Sequence, residues 1–169
     1  VAQARADEAF EYATQAGEDW WIAMAWYVRA MAAPTIADLR ERTDRAAALL
    51  SAAGNVHHLT DLLGAAAYGA LCMGSDEDAK VFVERAHEAS TQFGRYYGWM
   101  MLEGNLGLVA LFSGDTAAAR DAFREELRLS RELVVRPFAH EGLMGLGALA
   151  TADADDDRAA RLRGASEGL

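Results

Sequence analysis

Residues 107–123 read GLVALFSGDTAAARDAF, an apolar run that halts at Ser113-Gly114-Asp115 and restarts as a row of alanines. Apolar spacing of this kind makes one face of a helix. A glycine tolerates the left-handed backbone that closes a helix, and an aspartate directly after it accepts from the free amides of the next. The stretch predicts two antiparallel helices joined by a tight turn at Gly114.

The same punctuation recurs when the chain is laid on itself at a shift of 40. LGAAAYGALCMGSDEDAKVFVERA from Leu63 and LMGLGALATADADDDRAARLRGAS from Leu143 then fall into register with it. Ala70, Ala110 and Ala150 coincide, as do Ala79, Ala119 and Ala159. Gly74 and Gly114 lie over Ala154, and each is followed by an oxygen-bearing residue, Ser75, Asp115 or Asp155. Small side chains on both sides of the turn let two helix axes approach closely. Gly54 and Gly94 are also one period apart, each ending the second helix of a pair, and STQFG before Gly94 echoes ATQAG before Gly17. From Gly17 to Gly54 the spacing is 37, with the turn inside that unit expected through MAAPT around Pro34. The units are thus 1–17 (a leading B helix), 18–54, 55–94, 95–134 and 135–169, about nine helices in all.

Composition agrees. The chain has 169 residues, 52% of them hydrophobic, enough for one ordinary domain with a sizeable core. Only Pro34 and Pro137 interrupt it, and no window alternates like a strand, so the fold class is all-α. With 26 acidic against 16 basic residues the formal charge is −10, which disfavours direct nucleic-acid binding. The single Cys72 cannot form an internal disulfide, and no run is apolar enough for a membrane span, so a cytoplasmic setting without membrane contact is expected. The opening AQARADEAFEYATQAG and the closing RAARLRGASEGL are already helical in pattern, and the chain is expected to be a piece of a longer protein.

The spacing Leu106-Gly107, Ala110, Gly114, Ala119, Phe123 resembles the tetratricopeptide pattern, and the preceding unit keeps Ala67, Ala70, Gly74, Ala79 and Val83. Leu63, Glu103 and Leu143 stand where that pattern opens with tryptophan, the closing proline is absent, and the period is near 40 rather than about 34. The alanine-, arginine- and glycine-rich style and the ending DDDRAARLRGASEGL resemble the helical-repeat region of large bacterial ATP-dependent regulators, MalT-like or LuxR-type transcription factors and some nucleotide-cyclase relatives. The resemblance implies an α-α superhelix of antiparallel pairs whose A helices line a concave side. Carried over by position, that side holds Trp21, Met24, Val28 and Met31, then Asp61, Tyr68, Leu71 and Cys72, then Met101, Leu108 and Phe112, then Glu141 and Met144. Four of the six methionines land there, a lining suited to an adaptable apolar partner. The same residues would be ordinary core if the helices closed on themselves, and both readings stay open. Trp20, Trp21, Trp26, Tyr96, Tyr97 and Trp99 cluster near the starts of A helices.

Catalytic signatures are sparse. His57, His58 and Asp61 could be imagined as a metal cluster, with His58 and Asp61 sharing a helix face, but two ligands do not make a site. His87 and His140 have no serine or cysteine partner at diagnostic spacing, and Cys72 beside Met73 reads as a packed thiol. Asp153 to Arg158, DADDDR, lacks the glycine and terminal glutamate of a calcium loop, so capping is expected there. The glycines of GLMGLGALA lie inside a helix, not in a phosphate loop, and Glu125-Glu126 reads as a solvent-facing pair.

The expectation is a non-catalytic interaction or sensor module of a bacterial signalling regulator, with no cofactor and no metal. Its A-helix face would take a protein segment, a neighbouring domain or an inducer. The alternative is a small-molecule effector domain with Trp21, Tyr68, Met101 and Phe112 around the ligand; an enzyme using His57, His58 and Asp61 with a metal is the third.

Overall fold

Among the described residues, Gly17, Gly54, Gly74, Gly114 and Ala154 close helices with a left-handed backbone. The computed structural model describes residues 2–91, 97–134 and 136–168, and within 97–101 the backbone alone. Among these residues there are nine α-helices and no strand. They are α1 (Ala2–Ala16), α2 (Asp19–Met31), α3 (Ile36–Ala52), α4 (Val56–Cys72), α5 (Asp76–Thr91), α6 (Tyr97–Phe112), α7 (Thr116–Leu133), α8 (Arg136–Ala152) and α9 (Asp156–Glu167). Their contacts divide the chain into two compact units, residues 1–94 and 95–169. The helix end expected at Gly94 lies outside the described residues.

The turns repeat one hydrogen-bond scheme. At Gly74 the amide donates to Leu71 O (2.9 Å) and the amide of Ser75 to Ala70 O (2.9 Å). Gly114 and Asp115 donate to Leu111 and Ala110, Ala154 and Asp155 to Thr151 and Ala150, and Gly54 and Asn55 to Ser51 and Leu50. This is the Schellman arrangement, which satisfies carbonyls that a helix end leaves free. The residue that completes it then turns to the next helix. Asn55, Asp115 and Asp155 accept from the amides of His58, Ala118 and Arg158 at 3.3, 3.0 and 3.1 Å. The first full unit differs, as its spacing requires: α2 ends before Pro34, and Thr35 caps α3 by accepting from Asp38 N.

In the first unit α2 packs on α3, α4 on both α3 and α5, and α1 on α2. Leu39, Leu50, Leu62, Leu63, Ala66, Ala67, Ala79 and Phe82 are buried there. Arg40 of α3 grips the Asp78 carboxylate of α5 through two nitrogens, holding that carboxyl below its ordinary range by hydrogen bonding.

In the second unit α7 lies against α6 and α8, which also touch each other, and α9 closes on α8. The core is Ala119, Phe123, Leu146 and Leu149, with Leu108, Leu111, Leu127 and Leu162 at its margin. Phe123 is fully buried between two glycines. A Cβ built on Gly107 of α6 would stand 2.6 Å from its ring, and one on Gly145 of α8 would stand 2.5 Å away. Gly145, inside GLMGLGALA, is therefore a packing residue: the ring occupies the space a side chain would need. His140 of α8 reaches Ser166 Oγ of α9 at 2.7 Å.

Two outcomes follow. Ala154 holds a left-handed backbone (φ 59°) where Gly114 (φ 81°) stands in the equivalent turn. Ala154→Gly should raise stability by about 1 kcal/mol and Gly114→Ala lower it by about as much, read by urea unfolding. Gly145→Ala should cost about 1–3 kcal/mol or more through collision with the Phe123 ring, in the same assay.

Candidate functional site

The A helices carry six of the eleven large apolar side chains that stand exposed among the described residues. On α2, Trp21 (53% exposed), Val28 and Met31 are exposed and Met24 is half-buried; on α4, Tyr68 (54%) is exposed, with Asp61 and Leu71 half-buried. In the second unit Phe112 (65%) and Met144 are exposed, and Leu108 and Glu141 are half-buried. The side chain of Met101 lies outside the described residues, as do those of Tyr96, Tyr97 and Trp99. No described member of the set is fully buried, and Leu108 packs against the core of the second unit.

In the first unit that surface has a polar centre between α2 and α4. Asp61 meets His57 Nε2, four residues earlier, at 3.5 Å, and His58 also acts on it electrostatically. His58 Nδ1 donates to Asn55 Oδ1 (3.0 Å), and its ring packs edge-on with Trp20 at 4.7 Å. Asp61 Oδ1 is buried without a hydrogen-bond partner among the described residues, and burial raises the pKa of its carboxyl against the opposing pull of His57 and His58. Tyr27 on α2 is pushed up by burial and then by Asp61. Among the described residues no group of three His, Cys, Asp or Glu could hold a metal ion.

Two expectations need correction. Cys72 is exposed at the end of α4 and is not a packed thiol. The larger departure is Glu126. Its neighbour Glu125 is half-buried and accepts from Arg128 at 2.6 Å, while Glu126 is 0% exposed. It follows Phe123 by three residues and so shares that residue's inward stripe, a spacing visible in the sequence.

The Glu126 carboxyl enters a second glycine slot. A Cβ on Gly104 of α6 would lie 2.6 Å from Oε1, and one on Gly142 of α8 would lie 3.1 Å from Oε2. Neither oxygen has a hydrogen-bond partner among the described residues. Burial first, then the charges of Glu141 and Glu103, push its pKa from 4.5 to about 9, so the group is neutral at pH 7. Glu141 is also raised by burial, against His140.

The remaining acidic motif is structural. Asp155 caps α9 and Asp153 pairs with Arg120 Nη2 at 2.7 Å. Two concavities lie at the helix pairs: about 570 Å³ among Asp44, Ser51, Leu59, Leu63 and Arg85, and about 390 Å³ among Met144, Gly147, Thr151, Ala160 and Arg163. Only Met144 belongs to the A-helix set. No protein-family model matches the chain, and comparison with curated proteins gives no match.

Glu126 binds a proton more tightly folded than unfolded. Its contribution to stability is fully present below the unfolded value of 4.5 and is lost as pH rises through about 9. Between those limits it should weaken the second unit by about 1.4 kcal/mol per pH unit. Urea titrations from pH 5 to pH 9, read by a probe in residues 97–168, should show this slope, and Glu126→Gln should remove it.

Proposed function

We propose that the chain is a non-catalytic helical-repeat interaction module whose A-helix faces take an apolar or amphipathic protein segment or an adjacent domain. The parent protein would be a bacterial signalling or transcriptional regulator of the tetratricopeptide-like, ATP-dependent kind, and the stacked pairs would form its superhelical sensing arm. The observation that carries the reading is where uncovered apolar side chains collect. Among the described residues, six of the eleven exposed large hydrophobics are Trp21, Val28, Met31, Tyr68, Phe112 and Met144, all on A helices and all at positions that the repeat assigns to one side. Apolar exposure marks an interaction surface, and methionine with aromatics suits a partner helix that must be accommodated and not matched atom for atom.

Aromatic anchors concentrate binding energy. With an amphipathic leucine-rich helical peptide as probe, resonances of Trp21, Tyr68, Phe112 and Met144 should move. Replacing Trp21 and Tyr68 together by alanine should weaken binding at least about tenfold, or roughly 1.4 kcal/mol. Unchanged affinity in that double variant, or shifts confined to Val81 and Leu133 on the B helices, would contradict the reading.

A further inference from the structure

In each unit an A helix lies on the helix pair before it, α4 on α2 and α3 in the first and α8 on α6 and α7 in the second. The groove between the helices of a pair is thus the seat of a further helix. The pair α8/α9 has such a groove, and among the described residues no helix lies across the two. Its cavity of about 390 Å³ is walled by Met144, Gly147 and Ala148 of α8 and by Ala159, Ala160 and Arg163 of α9. Burial at equivalent positions records the difference. Gly107 is buried and Ala119 and Phe123 are 0% exposed, whereas Gly147 and Ala159 are half-buried and Arg163 is exposed.

The α6/α7 groove also shows what an occupant must supply. There α8 contributes Leu146 and Leu149, which join Ala119 and Phe123 in one core, and sets Gly145 against the Phe123 ring. In the α8/α9 groove the walls are smaller: Ala148 stands where Leu108 does, and Arg163 where Phe123 does. Interiors pack to a fixed density, so side-chain volume missing from the walls has to come from the occupant, as leucine in place of glycine. Among the eleven exposed large hydrophobics of the described residues the only leucine is Leu133, so a second copy of this chain offers no leucine stripe to the groove.

We propose that the α8/α9 groove is a docking site for an amphipathic helix of a partner protein, laid on the pair as α8 lies on α6 and α7, with leucines over Gly147, Ala148 and Ala160 and a carboxylate on Arg163. This surface is separate from the A-helix faces proposed above: an A and a B helix build it jointly, and only Met144 belongs to both.

Charge fixes the polar part of the partner. Among the described residues Arg163 is the one charged member of the cavity lining. It meets Glu167 at 3.2 Å in a pair whose side chains are 73% and 68% exposed. Solvent screens such a pair, so a carboxylate on the docked helix displaces Glu167 at little cost, and the arginine stem then covers the edge of the groove. Within α9 three acidic residues stand against three basic ones, so the chain's −10 is not concentrated at this helix.

The test uses the whole chain and two helical peptides with leucines at the spacing of one helix face, one carrying glutamate and the other lysine beside that stripe. Methyl resonances of Ala148, Ala159 and Ala160 should move with the glutamate peptide, whose affinity should exceed that of the lysine peptide at least about fivefold. Arg163→Glu, at an exposed position, should invert that order, an outcome that requires a folded groove. Equal affinities for the two peptides, in the chain and in the variant alike, would overturn the docking site. Shifts at Trp21, Tyr68 and Phe112 with Ala159 and Ala160 unmoved would overturn it too and leave the A-helix reading standing. Movement of Ala159 and Ala160 on simple dilution of the chain would give the groove to a second copy and overturn the partner helix.

Discussion

The second unit depends on how closely α7 approaches α6 and α8, and that approach is possible only because four positions lack a side chain. Gly107 and Gly145 make room for the Phe123 ring, and Gly104 and Gly142 make room for the Glu126 carboxyl. The two slots are one helical step apart, so a single stripe of α7 fills both. The ring contributes apolar burial worth about 1.5–3 kcal/mol. The carboxyl contributes none of that kind and survives in the slot by remaining neutral. Packing and protonation are thus coupled at one helix interface.

Much of the fold was legible because it is written in local chemistry. A glycine followed by a capping side chain has one economical geometry, and the 40-residue recurrence made each instance support the others. The turns at Gly74, Gly114 and Ala154 stand where the repeat puts them, and Ala154 adopts the left-handed backbone even without being glycine. The turn near Pro34 was equally readable, since proline and a following threonine suit the end of one helix and the cap of the next.

The site was less legible. Which residues share the A-helix side follows from periodicity; within their own units Trp21, Tyr68 and Phe112 are exposed, while Met24, Leu71 and Leu108 are half-buried. What occupies a buried position does not follow from composition: Glu126 reads as half of a solvated acidic pair until Phe123 three residues before it is known to point inward. The interior glycines of α6 and α8 likewise gave no hint of what fills them, because the filling residue sits on another helix. His57 and His58 are adjacent in sequence, and the packing of Trp20 on His58, with His57 Nε2 on Asp61, is a matter of side-chain placement that their order does not reveal.

An infrared difference spectrum between the chain and its Glu126→Gln variant at neutral pH bears most directly on this account. The glycine slot predicts the carbonyl band of an un-ionised carboxyl free of strong hydrogen bonds. Carboxylate bands alone, persisting until the solution is acidified toward the ordinary glutamate range, would contradict it.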